Sequence, residues 1–145
     1  MGGRVLGVDV GERRVGLAIS DASRTLARPL STIEVTGAAN AVERVMKTID
    51  ALVADDDGLE TIVIGLPTRL DGSATGATPR VQAFVDALRA KTTLRIVTAD
   101  ERLTSREAES RLALNERDWR KRKANLDAAA AAVILQDFID RRDRS

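Results

Sequence analysis

The sequence predicts an α/β fold: a mixed five-stranded sheet, its first three strands antiparallel, flanked by helices. Three observations predict it. Short apolar runs rich in β-branched residues recur at 5–10, 15–20, 29–35, 61–65 and 94–98, the signature of buried strands. The first three lie within a few residues of one another, which suits hairpin turns and an antiparallel meander. The later runs alternate with segments of helical spacing, the pattern of parallel crossovers.

Each element has its own signal. Residues 5–10 are an apolar run broken by Asp9 and closed by Gly11, and 15–20 returns as the second arm of a hairpin. Leu30, Ile33 and Val35 are the apolar members of the third strand. Over 38–53 the spacing turns helical, with Ala38, Val42, Val45, Ile49, Leu52 and Val53 repeating at three and four. The acidic loop 55–58 ends that helix, and 61–65 is a fully buried strand. A loop rich in Gly, Thr and Pro follows over 66–78. Thr78-Pro79 predicts an N-cap and a first-turn proline for a helix that carries Val81, Phe84, Val85 and Leu88 on one face. After the strand at 94–98, Thr104-x-x-Glu107 is a capping box opening a helix to about Asn115. Residues 115–123 read as a polar, basic loop. Asn125 caps a last helix over 127–142, with Val133, Ile134 and Phe138 toward the core. With no internal repeat, residues 1–145 form a single domain.

Composition narrows the chemistry. The chain has no His, no Cys and no Tyr, and its only aromatics are Phe84, Trp119 and Phe138. Disulfides, thiolate nucleophiles, Cys/His zinc sites and a Ser-His-Asp triad are thereby excluded. Any catalysis must rest on carboxylates, hydroxyls, Arg or Lys, backbone groups or a bound metal. The net charge of +1 hides a gradient: 34–60 holds seven acids and two bases, whereas 102–123 holds eight bases and four acids. A basic stretch on a near-neutral chain suits an anionic partner met locally. The longest apolar run, 128–135, is far short of the ~20 residues a membrane span needs. The expected location is cytoplasmic, with no membrane partner.

Three acids stand out. Asp9 lies inside an apolar strand, where a carboxylate is costly unless paired or bound to metal. Gly11 and Gly16 beside it allow a backbone or a phosphate to come close; the competing reading is a strand-end Asp that caps the turn to Arg13 and Arg14. Asp100-Glu101-Arg102 follows a buried strand, where ligand sites gather in open α/β sheets, although such tripeptides are commonly solvated turns. Asp127 opens an Ala-rich helix, where the helix dipole alone accounts for an acid. Together the three give a set of oxygen ligands suited to Mg²⁺ or Mn²⁺. Two such ions, about 3.5–4 Å apart, activate a water and stabilise the leaving oxygen of a phosphodiester.

Two further segments are candidates for holding nucleic acid. In and beside the stretch 65–73, Thr68, Ser73, Thr75 and backbone N–H groups suit contact with phosphate, and the stretch also reads as an ordinary flexible surface loop. The run Arg117-Asp118-Trp119-Arg120-Lys121-Arg122-Lys123 interleaves bases with one aromatic, able to follow a phosphate backbone and stack a base. Equally, it reads as a solvated loop with Trp119 folded onto the core.

These pieces resemble the YqgF (RuvX) family of pre-16S rRNA nucleases, once described as Holliday-junction-resolvase-like. The matching motifs are Gly7-Val8-Asp9-Val10-Gly11 with Val15-Gly16-Leu17-Ala18, Ala27-Arg28-Pro29-Leu30, and Ile64-Gly65-Leu66-Pro67 with Leu70-Asp71-Gly72-Ser73. Asp100-Glu101-Arg102-Leu103-Thr104-Ser105 and Lys123-x-x-Leu126-Asp127-x-x-Ala130-Ala131 complete the series, in family order and across nearly the whole chain. The resemblance implies a ribonuclease H-like fold with catalytic, metal-holding acids at Asp9, Glu101 and Asp127, and with Gly11, Arg102 and Lys123 nearby. Where many members carry Asn, this chain carries Arg69. On this reading two Mg²⁺ or Mn²⁺ ions are bridged by Asp9 and held on either side by Glu101 and Asp127. Arg28, Arg69, Ser73, Arg102, Trp119, Arg120, Lys121, Arg122 and Lys123 hold the strand.

The function implied is metal-dependent phosphodiester hydrolysis, with the 16S rRNA precursor favoured as partner and branched DNA, cut by a Holliday junction resolvase, as the alternative. A non-catalytic nucleic-acid-binding module on the same fold is a second alternative, disfavoured by the retention of all three acids. An actin-like ATPase shares the strand-Asp-x-Gly opening but needs two such domains. A scaffold that meets only proteins leaves Asp9 unexplained. Neither a heptad nor a large apolar stripe decides between monomer and homodimer.

Overall fold

The first strand carries Leu6, Val8 and Val10 on one face and Val5 with Gly7 on the other, which places it inside a sheet, since a strand buried on both faces must be covered twice. In the computed structural model of the chain, β1 (Arg4–Val10), β2 (Arg14–Ser20) and β3 (Ala27–Glu34) are followed by α1 (Ala38–Ala54), β4 (Leu59–Leu66), α2 (Thr78–Arg89), β5 (Arg95–Asp100) and α3 (Trp119–Arg144). The structure describes residues 3–67, 75–100 and 119–144, with the backbone alone for 119–126 and 143–144. The strands form one sheet in the order β3-β2-β1-β4-β5. β1 pairs antiparallel with β2, and β2 with β3, while β1–β4 and β4–β5 are parallel. The five strands and the antiparallel meander match the sequence expectation. The helix expected over 104–115 lies outside the described residues.

Strand alternation divides the core into two layers. Leu6, Val8, Val15, Leu17, Ile19, Ile62 and Ile64 pack with Val42, Val45 and Ile49 of α1 and Val81, Phe84, Val85 and Leu88 of α2. Val5, Ala18 and Val63 project from the opposite face and pack under Ala131, Ile134, Leu135 and Ile139 of α3. At these contacts α3 lies very close to the sheet. A β-carbon on Gly7 would stand 2.8 Å from Leu135 Cβ and 2.9 Å from the Ala131 carbonyl oxygen, closer than real side chains approach. Glycine in β1 and alanine in α3 are what permit that spacing.

The last helix departs from the sequence reading. It begins at Trp119 and runs unbroken to Arg144, so 119–123 is helix rather than loop, Asn125 is an interior residue rather than a cap, and Asp127 lies two turns inside. Arg, Lys, Ala and Leu are strong helix formers, and one Asn is too weak a breaker to stop them. Its inward face is set by Ala131, Ile134 and Leu135, whereas Val133 is buried on another side with Ala130. The α2 start also differs. Ala77 occupies the N-cap position, and Pro79 falls within the first turn. The Thr78 hydroxyl donates instead to the Pro67 carbonyl (2.6 Å) and accepts from the Thr75 N–H (2.8 Å).

The far end of the sheet is fastened by a buried arginine. Arg4 Nε donates to the Gly58 carbonyl at 3.1 Å, and its guanidinium pairs with Asp55 at 3.1 Å. Among the described residues, no helix is long and apolar enough to cross a membrane.

Candidate active site

The site begins with a strand register. Asp9 of β1 stands opposite Gly16 of β2, and the Cα atoms of such partners lie about 4.5–5.5 Å apart. Alternation along β1 puts Asp9 on the same face as Val5 and Gly7, the face covered by α3. Gly16 projects to that face as well. A β-carbon there would lie 2.0 Å from the Asp127 carbonyl oxygen, so the backbone of Asp127 occupies the space a side chain would need. One glycine thus brings two acids from opposite ends of the chain beside each other. The close backbone approach expected at Gly16 is that of α3.

Asp127 is half-buried. Burial pushes its carboxyl above the ordinary value, and the Arg14 guanidinium offsets part of that effect. Arg14 lies one alternation step from Gly16 on β2, so it shares the α3 face with both acids. From the sequence, Arg14 reads only as a turn residue. The signal that could have found it is the alternation of Arg14, Gly16 and Ala18 along one strand.

The other expected site residues fall in several places. Glu101 and Arg102 follow β5 directly and lie outside the described residues, as do Arg69 and Ser73. Thr78 reads from the sequence as a cap alone, yet it holds Pro67 and Thr75 together and so fixes both ends of the segment that carries Arg69 and Ser73. Trp119, Arg120, Lys121, Arg122 and Lys123 occupy the first turns of α3. Arg28 is opposite Ile19 in the β2–β3 register. That puts it three residues along from the Gly16 position and on the α1/α2 face, apart from the acid pair.

The donor set fits a hard divalent cation. Two carboxylates share one face, and one of them is half-buried with its charge incompletely offset by a single arginine, so a cation beside them is favoured. Among the described residues no group of three acids forms; Asp9 and Asp127 are the described pair.

Sheet order and helix placement define an open, mixed α/β sheet covered by helices on both faces. The fold is that of Thermus thermophilus RuvC solved with a Holliday junction substrate (15% identity, TM-score 0.55, 97% of this chain and 96% of that one). It is also that of the fowlpox virus resolvase solved with Holliday junction DNA (9% identity, TM-score 0.59, 96% of this chain and 98% of that one). The shared fold, a five-stranded mixed sheet with its first three strands antiparallel, is the one the sequence resemblance implies. The model of the RuvX family, described as Holliday junction resolvase, matches residues 3–141, and the chain belongs to that family. Curated relatives carry the name "Putative pre-16S rRNA nuclease". One from Roseiflexus sp. (strain RS-1) is 40% identical over 95% of this chain and 94% of its own length. Another, from Chloroflexus aggregans, is 42% identical over the same shares.

Proposed function

We propose that the protein is a metal-dependent nuclease that hydrolyses phosphodiester bonds in structured nucleic acid, with the 16S rRNA precursor as its substrate and a single domain over 1–145 as its body. The observation that carries this reading is the convergence of Asp9 and Asp127 across Gly16 on the α3 face of a resolvase-type sheet. The names of the curated relatives favour rRNA over DNA. The family description and the fold shared with junction resolvases support branched DNA as a second reading.

In this proposal Asp9, Asp127 and Glu101 hold Mg²⁺ or Mn²⁺, two ions being the expected number. Such ions lower the pKa of water and offset charge on the departing 3′ oxygen. The chain's own residues prepare the place. β1 fixes Asp9 by its register, α3 fixes Asp127 by its backbone contact with Gly16, and Arg14 favours the charged form of Asp127 on that face. Four consecutive bases, Arg120 to Lys123, lie in the opening turns of α3, whose first turn holds no acid. Their charges add to the positive end of the helix dipole, and a phosphate backbone relieves that repulsion.

A cleavage panel tests the reading: single-stranded RNA, an rRNA-precursor stem and a four-way DNA junction, each with Mg²⁺ and with Mn²⁺, for wild type and Asp9→Asn. Preferred cutting of the precursor stem by the wild type alone is expected. Preferred cutting of the junction transfers the assignment to resolvase, and no cleavage of any substrate removes the nuclease reading.

A further inference from the structure

The end of the sheet next to the acid pair carries a second feature. An open groove of about 740 Å³ is lined by Glu12, Arg13, Arg14, Glu34, Thr36 and Arg44, together with the buried Val35. Arg14 in its lining stands on the α3 face by its place on β2, and the lining continues through Glu12 and Arg13 of the β1–β2 turn to Thr36 and to Arg44 of α1. Backbone contacts give it a fixed shape. Gly11 N–H donates to the Arg14 carbonyl at 2.8 Å, and Val35 N–H donates to the Arg13 carbonyl at 2.9 Å. Arg44 donates to the Glu34 carbonyl and so is held over the groove.

We infer that this groove carries the phosphodiester backbone of the bound nucleic acid away from the acid pair, with Arg13 and Arg44 contacting phosphates beyond the scissile one. Three arginines line it, and a guanidinium presents a fork matched to phosphate oxygens. Glu12 and Glu34 border the same groove and keep its net charge low. Binding there therefore relies on arginine geometry rather than on bulk charge, in keeping with a chain of net charge +1. The inference rests on the nuclease reading, because it needs a nucleic acid at Asp9 and Asp127.

The test is equilibrium binding of a fluorescein-labelled RNA stem-loop and of a labelled four-way DNA junction, followed by anisotropy in EDTA so that no turnover intervenes. For the preferred ligand, Arg13→Ala/Arg44→Ala is expected to raise Kd about tenfold. It should also reduce the slope of log Kd against log salt by about 2, roughly 0.9 for each phosphate that is no longer neutralised. Arg13→Glu, a single change at an exposed side chain, should raise Kd about fivefold or more even if the double variant folds poorly. Lys47→Ala/Lys91→Ala removes the same charge from the groove between α1 and α2 and should change Kd by less than about twofold. Unchanged Kd and slope in both arginine variants overturn the inference, as does an equal shift in the lysine control. If the wild type cleaves nucleic acid while the arginine variants bind normally, only this inference fails. A wild type that neither binds nor cleaves removes the nuclease reading beneath it.

Discussion

Gly16 stands opposite Asp9 in the β1–β2 register, and the hydrogen in place of its side chain is what lets the Asp127 backbone lie against β2. The relationship makes a residue with no functional group a determinant of the site. Gly16→Ala places a methyl group 2.0 Å from the Asp127 carbonyl oxygen, and backbone cannot yield as a side-chain tip can. The expected loss of stability is about 3 kcal/mol or more, read from the urea midpoint, together with loss of cleavage as α3 is displaced. A variant as stable and active as wild type would refute this close packing.

Asp9→Asn keeps the shape of the side chain and removes its charge. Cleavage with Mg²⁺ is expected to fall at least about a hundredfold, with the circular dichroism spectrum and unfolding midpoint unchanged. Cutting at the wild-type rate would show that Asp9 is not part of the site.

Asp127 gives a pH-dependent prediction. Its carboxyl in the folded chain titrates above the unfolded value because of burial, with Arg14 opposing. The folded state therefore holds more protons than the unfolded state between the two values, and stability falls as pH rises through that interval. In metal-free buffer at pH 7, Asp127→Asn should raise Tm, and the gain should vanish below about pH 4, where the unfolded acid is also protonated. Millimolar Mg²⁺ should then raise the wild-type Tm and leave that of the variant in place. A lower Tm for the variant at neutral pH contradicts the assigned environment.

Thr78 is expected to matter through the segment it closes. Thr78→Val keeps the volume but loses the bonds to the Pro67 carbonyl and the Thr75 N–H. A stability loss of about 1–2 kcal/mol is expected. If the segment 68–74 meets substrate, KM should rise more than kcat falls. Equal effects on both, or none, would confine Thr78 to a structural role.

The two partners of the Arg4–Asp55 pair should behave unequally. Arg4 is buried and also donates to the Gly58 carbonyl, whereas the Asp55 side chain is 56% exposed. Arg4→Ala should cost about 2–4 kcal/mol, and Asp55→Ala less than about 1 kcal/mol, measured by urea unfolding. Equal losses would mean that the ion pair, rather than the backbone bonds, fastens this end of the sheet.

The strands are legible in the sequence because their signal is local. β-branched runs of the right length stand out without any knowledge of their neighbours, and short connections dictate antiparallel pairing. The start of α3 is not legible. Trp119 to Lys123 shows no apolar period, so its polar character points to a loop while its helix propensity prevails. Arg28 shows the same difficulty in the sheet: the β2–β3 register is shifted between Leu17 and Ala18, and one such irregularity decides which face a residue takes.

By itself the sequence determined the element order and, by lacking His, Cys and Tyr, left carboxylate and hard-metal chemistry as the open route. It also marked Asp9 as out of place in an apolar strand. Only the tertiary structure set the Asp127 backbone against Gly16 opposite Asp9, put Arg14 on their face and put Arg28 on the other. Residues so far apart in the chain meet through the packing of α3 on Gly7 and Gly16. That packing depends on which side of each strand faces which helix, a long-range choice that no local periodicity encodes.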